Sequence, residues 1–217
     1  MYKLYYYPGN ANLAPHMLLE ELGVDYELVL VDRDRDAHKS PEYLKLNPAG
    51  RIPVLVDGDF VLSETAAICL HLADRHPRAG LAPAPGTTER ARFYQWLIYL
   101  TNTLQAELIT YYYPERLADH AQGAESVKRH AEARIGGMLD LIENRLAENA
   151  AAGRGPYLLG QRYTAVDPFL LMLARWTRHF AHPARARRHL GACLDLVAAR
   201  PAVQRAFAAE GLAAPLY

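Results

Sequence analysis

Residues 38–68 read HKSPEYLKLNPAGRIPVLVDGDFVLSETAAI, and the middle of this stretch decides the fold. Two apolar runs, 53–56 and 60–62, flank Asp57-Gly58, and a two-residue Asp-Gly link between such runs is the strongest short-range signal of a β-hairpin. Pro53 stands where the first of these strands begins, a place that accepts proline because no ladder donor is needed there. Residues 66–76 follow as an amphipathic helix, and residues 41–46 precede the hairpin as a short one. Toward the N-terminus, the aromatic and β-branched segments 3–7 and 26–31 read as strands. Between them Met17, Leu18 and Leu22 recur at helical spacing until Gly23 ends the run. The order is β-α-β-α-β-β-α, with a right-handed crossover expected between the first two strands.

Beyond residue 76 the character changes. Pro77, Gly80, Pro83, Pro85 and Gly86 form a punctuated stretch that no helix or strand interior tolerates. The charge balance changes sign there too: residues 1–80 hold 8 Lys or Arg against 12 Asp or Glu, and residues 81–217 hold 16 against 12. The expected division is a first domain over 1–78, a linker over 79–87 and a second domain over 88–217. The second part carries little strand signal, and 89–113, 124–151, 165–177, 190–199 and 202–209 read as helices. The spacing of Thr164 and Asp167 predicts a reciprocal cap, each side chain satisfying the other's backbone N–H.

Composition excludes several classes. The 217 residues carry zero net charge, 51% are hydrophobic and 22% charged, which argues against disorder and against a general attraction to nucleic acid or anionic membrane. Cys69 and Cys193 stand far apart and outside any C-x-x-C pair, so they read as buried thiols in a reducing cytoplasm. Residues 1–9 lack the apolar run of an export signal, and no apolar stretch is long enough to span a membrane. His179 and His182 lack further metal ligands and read as structural. The arginine cluster at 175–188 lacks the interleaved aromatics of single-strand binders and reads as a solvated face or a subunit contact.

The ordered combination of a basic pair, an Asn-Pro-x-Gly turn, an aliphatic-Pro ahead of a hairpin, and Glu-Thr opening a helix resembles the cytosolic glutathione S-transferase family. Residues 160–167 and the tail RPAVQRAFAAEG from Arg200 resemble its bacterial members. The resemblance covers nearly the whole chain. It implies an α/β thioredoxin-like N-terminal domain plus an all-α C-terminal helical bundle, a homodimer, and glutathione as cosubstrate with no metal. It implies that Ile52 precedes a cis Pro53 and offers its peptide groups to the tripeptide. It further implies that Thr65 and Glu64 take the γ-glutamyl end and that His38 and Lys39 take the glycyl carboxylate, with Arg51 adding a cation. Without the resemblance, Ser63 with its acidic neighbour would be an ordinary helix cap, and His38-Lys39 a solvated pair.

The thiol-activating position departs from the family pattern, because residues 9–12 read Gly-Asn-Ala-Asn where relatives carry Tyr, Ser or Cys. Ala11 rules out a mixed disulfide at that point. Asn12 is the favoured N-cap, since it places Pro15 at the third helical position, where no N–H is missed. Its amide oxygen is expected to cap the helix, with or without its NH₂ donating to the sulfur; Asn10 and Tyr6 are the other candidate donors. Of Tyr111, Tyr112 and Tyr113, which end the long first helix of the second domain, one or two are expected to line a pocket for a small apolar electrophile, Tyr111 and Tyr112 being the first candidates. The reading is a cytoplasmic detoxification enzyme that delivers the thiolate to an electrophile, a peroxide or a disulfide. Its alternative is a non-catalytic binding or regulatory relative.

Overall fold

The computed structural model describes all 217 residues. Strand β1 (Tyr2–Tyr6) leads into α1 (Leu13–Leu22), β2 (Tyr26–Leu30), α2 (Pro41–Leu46), β3 (Val54–Asp57), β4 (Phe60–Ser63) and α3 (Thr65–Arg75). The sheet order is β2-β1-β3-β4, with β1 and β2 parallel and the other pairings antiparallel. The expected hairpin forms, but with its link one residue later than Asp57-Gly58: Asp57 pairs with Phe60, so the linking residues are Gly58 and Asp59, and Gly58 takes the positive φ of 62° that the tight link requires. Leu4 and Leu55 are fully buried and Tyr2 nearly so, which turns this face toward α1 and α3. α1 closes on Gly23 in the left-handed conformation, whose N–H returns to the Leu19 carbonyl.

The rest is helical: α4 (Thr88–Ile98), α5 (Ala106–Tyr112), α6 (Ala121–Ala151), α7 (Val166–Trp176), α8 (Arg188–Ala198) and α9 (Pro201–Ala209). α7 buries nearly all its residues and packs on α1, α4 and α8, and one core cluster of 43 residues runs through sheet and bundle alike. Cys69 and Cys193 lie in this core, where burial pushes both thiols up and keeps them unreactive. Arg90 fastens the connecting segment, donating to the Pro83 carbonyl at 2.9 Å and to Asp74 at 2.7 Å.

Three other local expectations are corrected. The single helix read over 89–113 is interrupted by a π-helical stretch, Tyr99–Gln105, which periodicity alone cannot distinguish from the α form around it. Asn12 does not cap α1 with its side chain, for a reason that lies in its burial. The Thr164–Asp167 box is one-sided: Asp167 accepts from the Thr164 N–H at 2.7 Å, but its own N–H goes to the Thr164 carbonyl rather than the hydroxyl.

Candidate functional site

A cleft of about 570 Å³ opens between the sheet and the bundle. Its floor is the turn at residues 47–50. Asn47 accepts from the Ala49 N–H at 3.1 Å and donates to the Arg51 carbonyl at 2.7 Å, where the Tyr43 hydroxyl also donates. Gly50 has φ 60°, and a Cβ there would stand 3.1 Å from the His38 carbonyl, so the turn lies against the segment that carries His38 and Lys39. These contacts deliver Ile52 to the cleft ahead of Pro53, and the Ile52–Pro53 bond is cis. The N–H and C=O of Ile52 have no backbone partner in the protein.

The second wall is the start of α3. Its cap position is Glu64, not Ser63, and no side chain caps the helix. Glu64 holds φ 69°, a conformation that costs a non-glycine residue about 1 kcal/mol or more and recurs at ligand sites. The uncapped first turn at Thr65 therefore presents N–H donors and partial positive charge to the cleft.

Around these backbone groups lie Arg33, His38, Lys39, Arg51 and Arg116, with Glu64 the one lining carboxylate. The His38 Nδ1 is buried without a hydrogen-bond partner. Burial, and then the nearby Arg33 charge, hold its imidazole below the usual histidine range. Asn10 and Ala11 line the cleft ahead of α1. The Asn10 amide oxygen accepts from the Ala11 N–H at 2.7 Å, which leaves its NH₂ with no protein acceptor.

Of the residues singled out from sequence, Asn10, His38, Lys39, Arg51, Ile52, Pro53, Glu64 and Thr65 thus converge on one cleft. Asn12 does not reach it. Its side chain is fully buried behind the wall, accepting from the Tyr7 N–H at 3.1 Å and donating to Glu210 at 2.8 Å, so the amide oxygen expected to cap α1 is already engaged. Tyr6, on the β1 face shared with Tyr2 and Leu4, does not line the cleft either. Tyr111 packs on Phe180 with ring centres 4.3 Å apart, and the Tyr112 hydroxyl donates to the Trp176 carbonyl. Neither ring lines the cleft; Tyr113 does.

Sequence reasoning missed Arg33, Thr101, Gln105, Arg116 and Trp176 on the walls. Thr101, Gln105 and Tyr113 lie at multiples of four residues, but no local pattern tells which face of a long helix meets a cleft. It missed Glu210 as well. That carboxylate accepts from the Gly9 N–H at 2.8 Å and from Asn12, and meets His16 Nδ1 at 2.7 Å. No group of three His, Cys, Asp or Glu side chains is placed to hold a metal ion.

Comparison with known proteins matches residues 1–74 to the family model of the glutathione S-transferase N-terminal domain. Glutathione S-transferase 3 of Zea mays is 36% identical over 98% of this chain and 96% of its own length. The crystal structure of a glutathione transferase from Methylococcus capsulatus superposes with a TM-score of 0.84 at 34% identity, over 98% of this chain and all of that one. A Sulfitobacter glutathione transferase homologue with bound glutathione superposes at 0.87 and 27% identity, over 98% of this chain and 99% of its own.

Proposed function

This chain belongs to the glutathione S-transferase family, and from that premise we propose that it binds glutathione in the cleft and ionises its thiol for transfer. One observation carries the reading: unpartnered groups converge there in the pattern a γ-glutamyl tripeptide needs. The uncapped start of α3 with Thr65 receives the γ-glutamyl carboxylate, and Glu64 its ammonium. The free Ile52 peptide groups pair with the cysteinyl backbone. His38, Lys39 and Arg51 meet the glycyl carboxylate.

The thiol is the chemical problem. At an ordinary pKa near 8.5 only a few per cent is thiolate at neutral pH, and lowering that by two units takes ~2.7 kcal/mol of preferential stabilisation. A hydrogen bond to the sulfur anion supplies ~1.5–3 kcal/mol, and a helix N-terminus a few tenths to ~2. The unengaged Asn10 NH₂, placed ahead of α1, fits this role, whereas the Asn12 amide is held by Tyr7 and Glu210. The ionised sulfur then bonds to an electrophilic centre, whose leaving group departs with the electron pair; a peroxide or a disulfide offers oxygen or sulfur as that centre.

Asn10→Ala is expected to raise the bound thiol's pKa by about one unit, ~1.4 kcal/mol, and to change glutathione affinity less than about threefold. Thiolate absorbance titrated with and without the substitution checks this, and coincident curves would move the donor elsewhere. Calorimetry with reduced glutathione tests the reading as a whole, since absence of binding at millimolar ligand would favour a non-catalytic relative.

His38 adds a pH signature. A ligand carboxylate beside its ring raises a pKa that the free protein holds low, so binding takes up a proton. The affinity for S-methylglutathione, which has no thiol, is therefore expected to rise severalfold from about pH 8 to about pH 5.5. His38→Gln should flatten the profile; a wild-type profile that is already flat would remove His38 from the carboxylate site.

We also propose a division into 1–78, 79–87 and 88–217, supported by the absence of strand or α-helix between Arg75 and Thr88. A homodimer is supported by apolar side chains left in water, Phe60 on β4 at 51% exposure and Ile98 on α4 at 59%. A cytoplasmic, detoxifying role accords with the family, and no helix is long and apolar enough to cross a membrane.

A further inference from the structure

We propose that the second substrate is an electrophile carrying its own carboxylate, received by Arg33 at the hydroxyl of Tyr113 and Arg116 over its ring. The inference rests on the tripeptide reading and adds the chemical class of the partner that the thiolate attacks. Arg33 comes from the loop after β2 and Arg116 from the turn after α5, yet both reach one ring. The Arg33 guanidinium donates to the Tyr113 hydroxyl at 3.1 Å, and that of Arg116 stacks 4.0 Å from the ring centre. All three residues line the cleft.

Two permanent cations brought together repel each other unless an anion sits with them, and no carboxylate of the protein does so. The three aspartates flanking Arg33 are engaged elsewhere: Asp32 with Arg35 at 3.4 Å, Asp34 with the Tyr7 hydroxyl at 2.8 Å, and Asp36 with Lys39 at 2.9 Å. No ion pair forms at Arg116 either, and Glu64, the one acid on the cleft wall, belongs to the α3 end. In the tripeptide reading its two carboxylates go to the start of α3 and to the His38 segment, close to Arg33, so Arg116 is the cation left without an anion.

The intervening wall is mixed: Ala106, Ile109 and Trp176 are apolar, and Thr101 and Gln105 add polar groups beside them. Gln105 accepts from the Thr101 hydroxyl at 3.3 Å, and its NH₂ has no acceptor in the protein, so a further donor stands on the same wall as Tyr113. The rings that would have made an apolar pocket, Tyr111 and Tyr112, are turned onto Phe180 and the Trp176 carbonyl. In the reaction the sulfur–carbon bond forms and the leaving group departs with its electron pair. The carboxylate takes no part in the bond changes and serves to orient the electrophile.

Product conjugates test this without requiring turnover. Calorimetry of the full chain with S-(para-carboxybenzyl)glutathione and S-(para-carbamoylbenzyl)glutathione compares a carboxylate with a neutral group of the same shape. The acid is expected to bind about tenfold tighter at low salt, an advantage that shrinks as salt screens it. In the Arg33→Gln, Arg116→Gln double variant the preference should fall to within about twofold, with the amide conjugate's affinity unchanged as the control for folding. Arg116→Gln alone, at an exposed position, should lose about half of the preference on a logarithmic scale. Equal binding of the two conjugates by the wild type, or a preference that survives the double variant, overturns the proposal while glutathione itself still binds. Failure of glutathione to bind overturns the tripeptide reading and this one with it.

Discussion

Glu210→Ala is expected to destabilise the protein by about 4 kcal/mol, because it removes the shared acceptor of three buried donors at once. The Gly9 N–H, the Asn12 NH₂ and His16 Nδ1 all converge on this carboxylate, whose side chain is fully buried. The Tyr26 hydroxyl donates to Glu20, so its oxygen is left to receive His16 Nε2 at 3.0 Å. His16 is thus held at both ring nitrogens, by the Glu210 carboxylate and by the Tyr26 hydroxyl. Removing the carboxylate strands that ring in the core.

The effect should reach the site, since residues 9–12 join the Glu210 contacts to the Asn10 and Ala11 wall. Glu210→Gln is the gentler probe: an amide cannot accept on both atoms, so one donor loses its partner at a cost of about 2 kcal/mol. Glutathione affinity and bound-thiol pKa should both shift in this variant even where it is fully folded. Urea unfolding checks the stability and thiolate titration the site. An alanine variant within about 1 kcal/mol of wild type would show that the network is not a support.

Asp167→Ala is expected to cost a similar ~4 kcal/mol, leaving the Thr164 and Leu158 N–H groups and the Thr164 hydroxyl facing an empty, fully buried space. The pH dependence is unusual for a carboxylate. Burial pushes Asp167 up to about 7, against the pull of the N–H donors from Thr164 and Leu158. In the unfolded chain the group titrates near 3.9, so between about pH 4 and about pH 7 the folded state holds the proton that the unfolded state has released. Stability from this residue is complete below about pH 4 and is lost as pH rises through about 7. Asp167→Asn, neutral throughout, should therefore be more costly near pH 5 than near pH 8. Urea unfolding at the two values decides it, and a penalty that grows with pH would show that the fold prefers the ionised form.

What was legible in the chain was local. Asp57-Gly58 announced the hairpin because a two-residue link needs a backbone that few residues adopt, and the segment 38–65 announced the cleft because its turn, proline and helix start are neighbours in sequence. The start of α1 was misjudged for the converse reason. Asn12 has every property of a cap, but its amide is claimed by a carboxylate 198 residues away. Asn10, two residues earlier and of the same type, is left facing the cleft. Nothing local in the run DRDRD at 32–36 tells which arginine meets the cleft; its acids bond to Arg35, the Tyr7 hydroxyl and Lys39, and Arg33 meets Tyr113.

The sequence by itself determined the order of strands and helices and the segment that forms the near wall of the cleft, since spacing, turn chemistry and proline geometry act over a few residues. Only the tertiary structure decided which asparagine lines the cleft, which tyrosine lines its far wall, and that two arginines stand beside that tyrosine. Those outcomes depend on which distant carboxylate or carbonyl satisfies each polar group, and that choice is made when the sheet and the bundle close on each other.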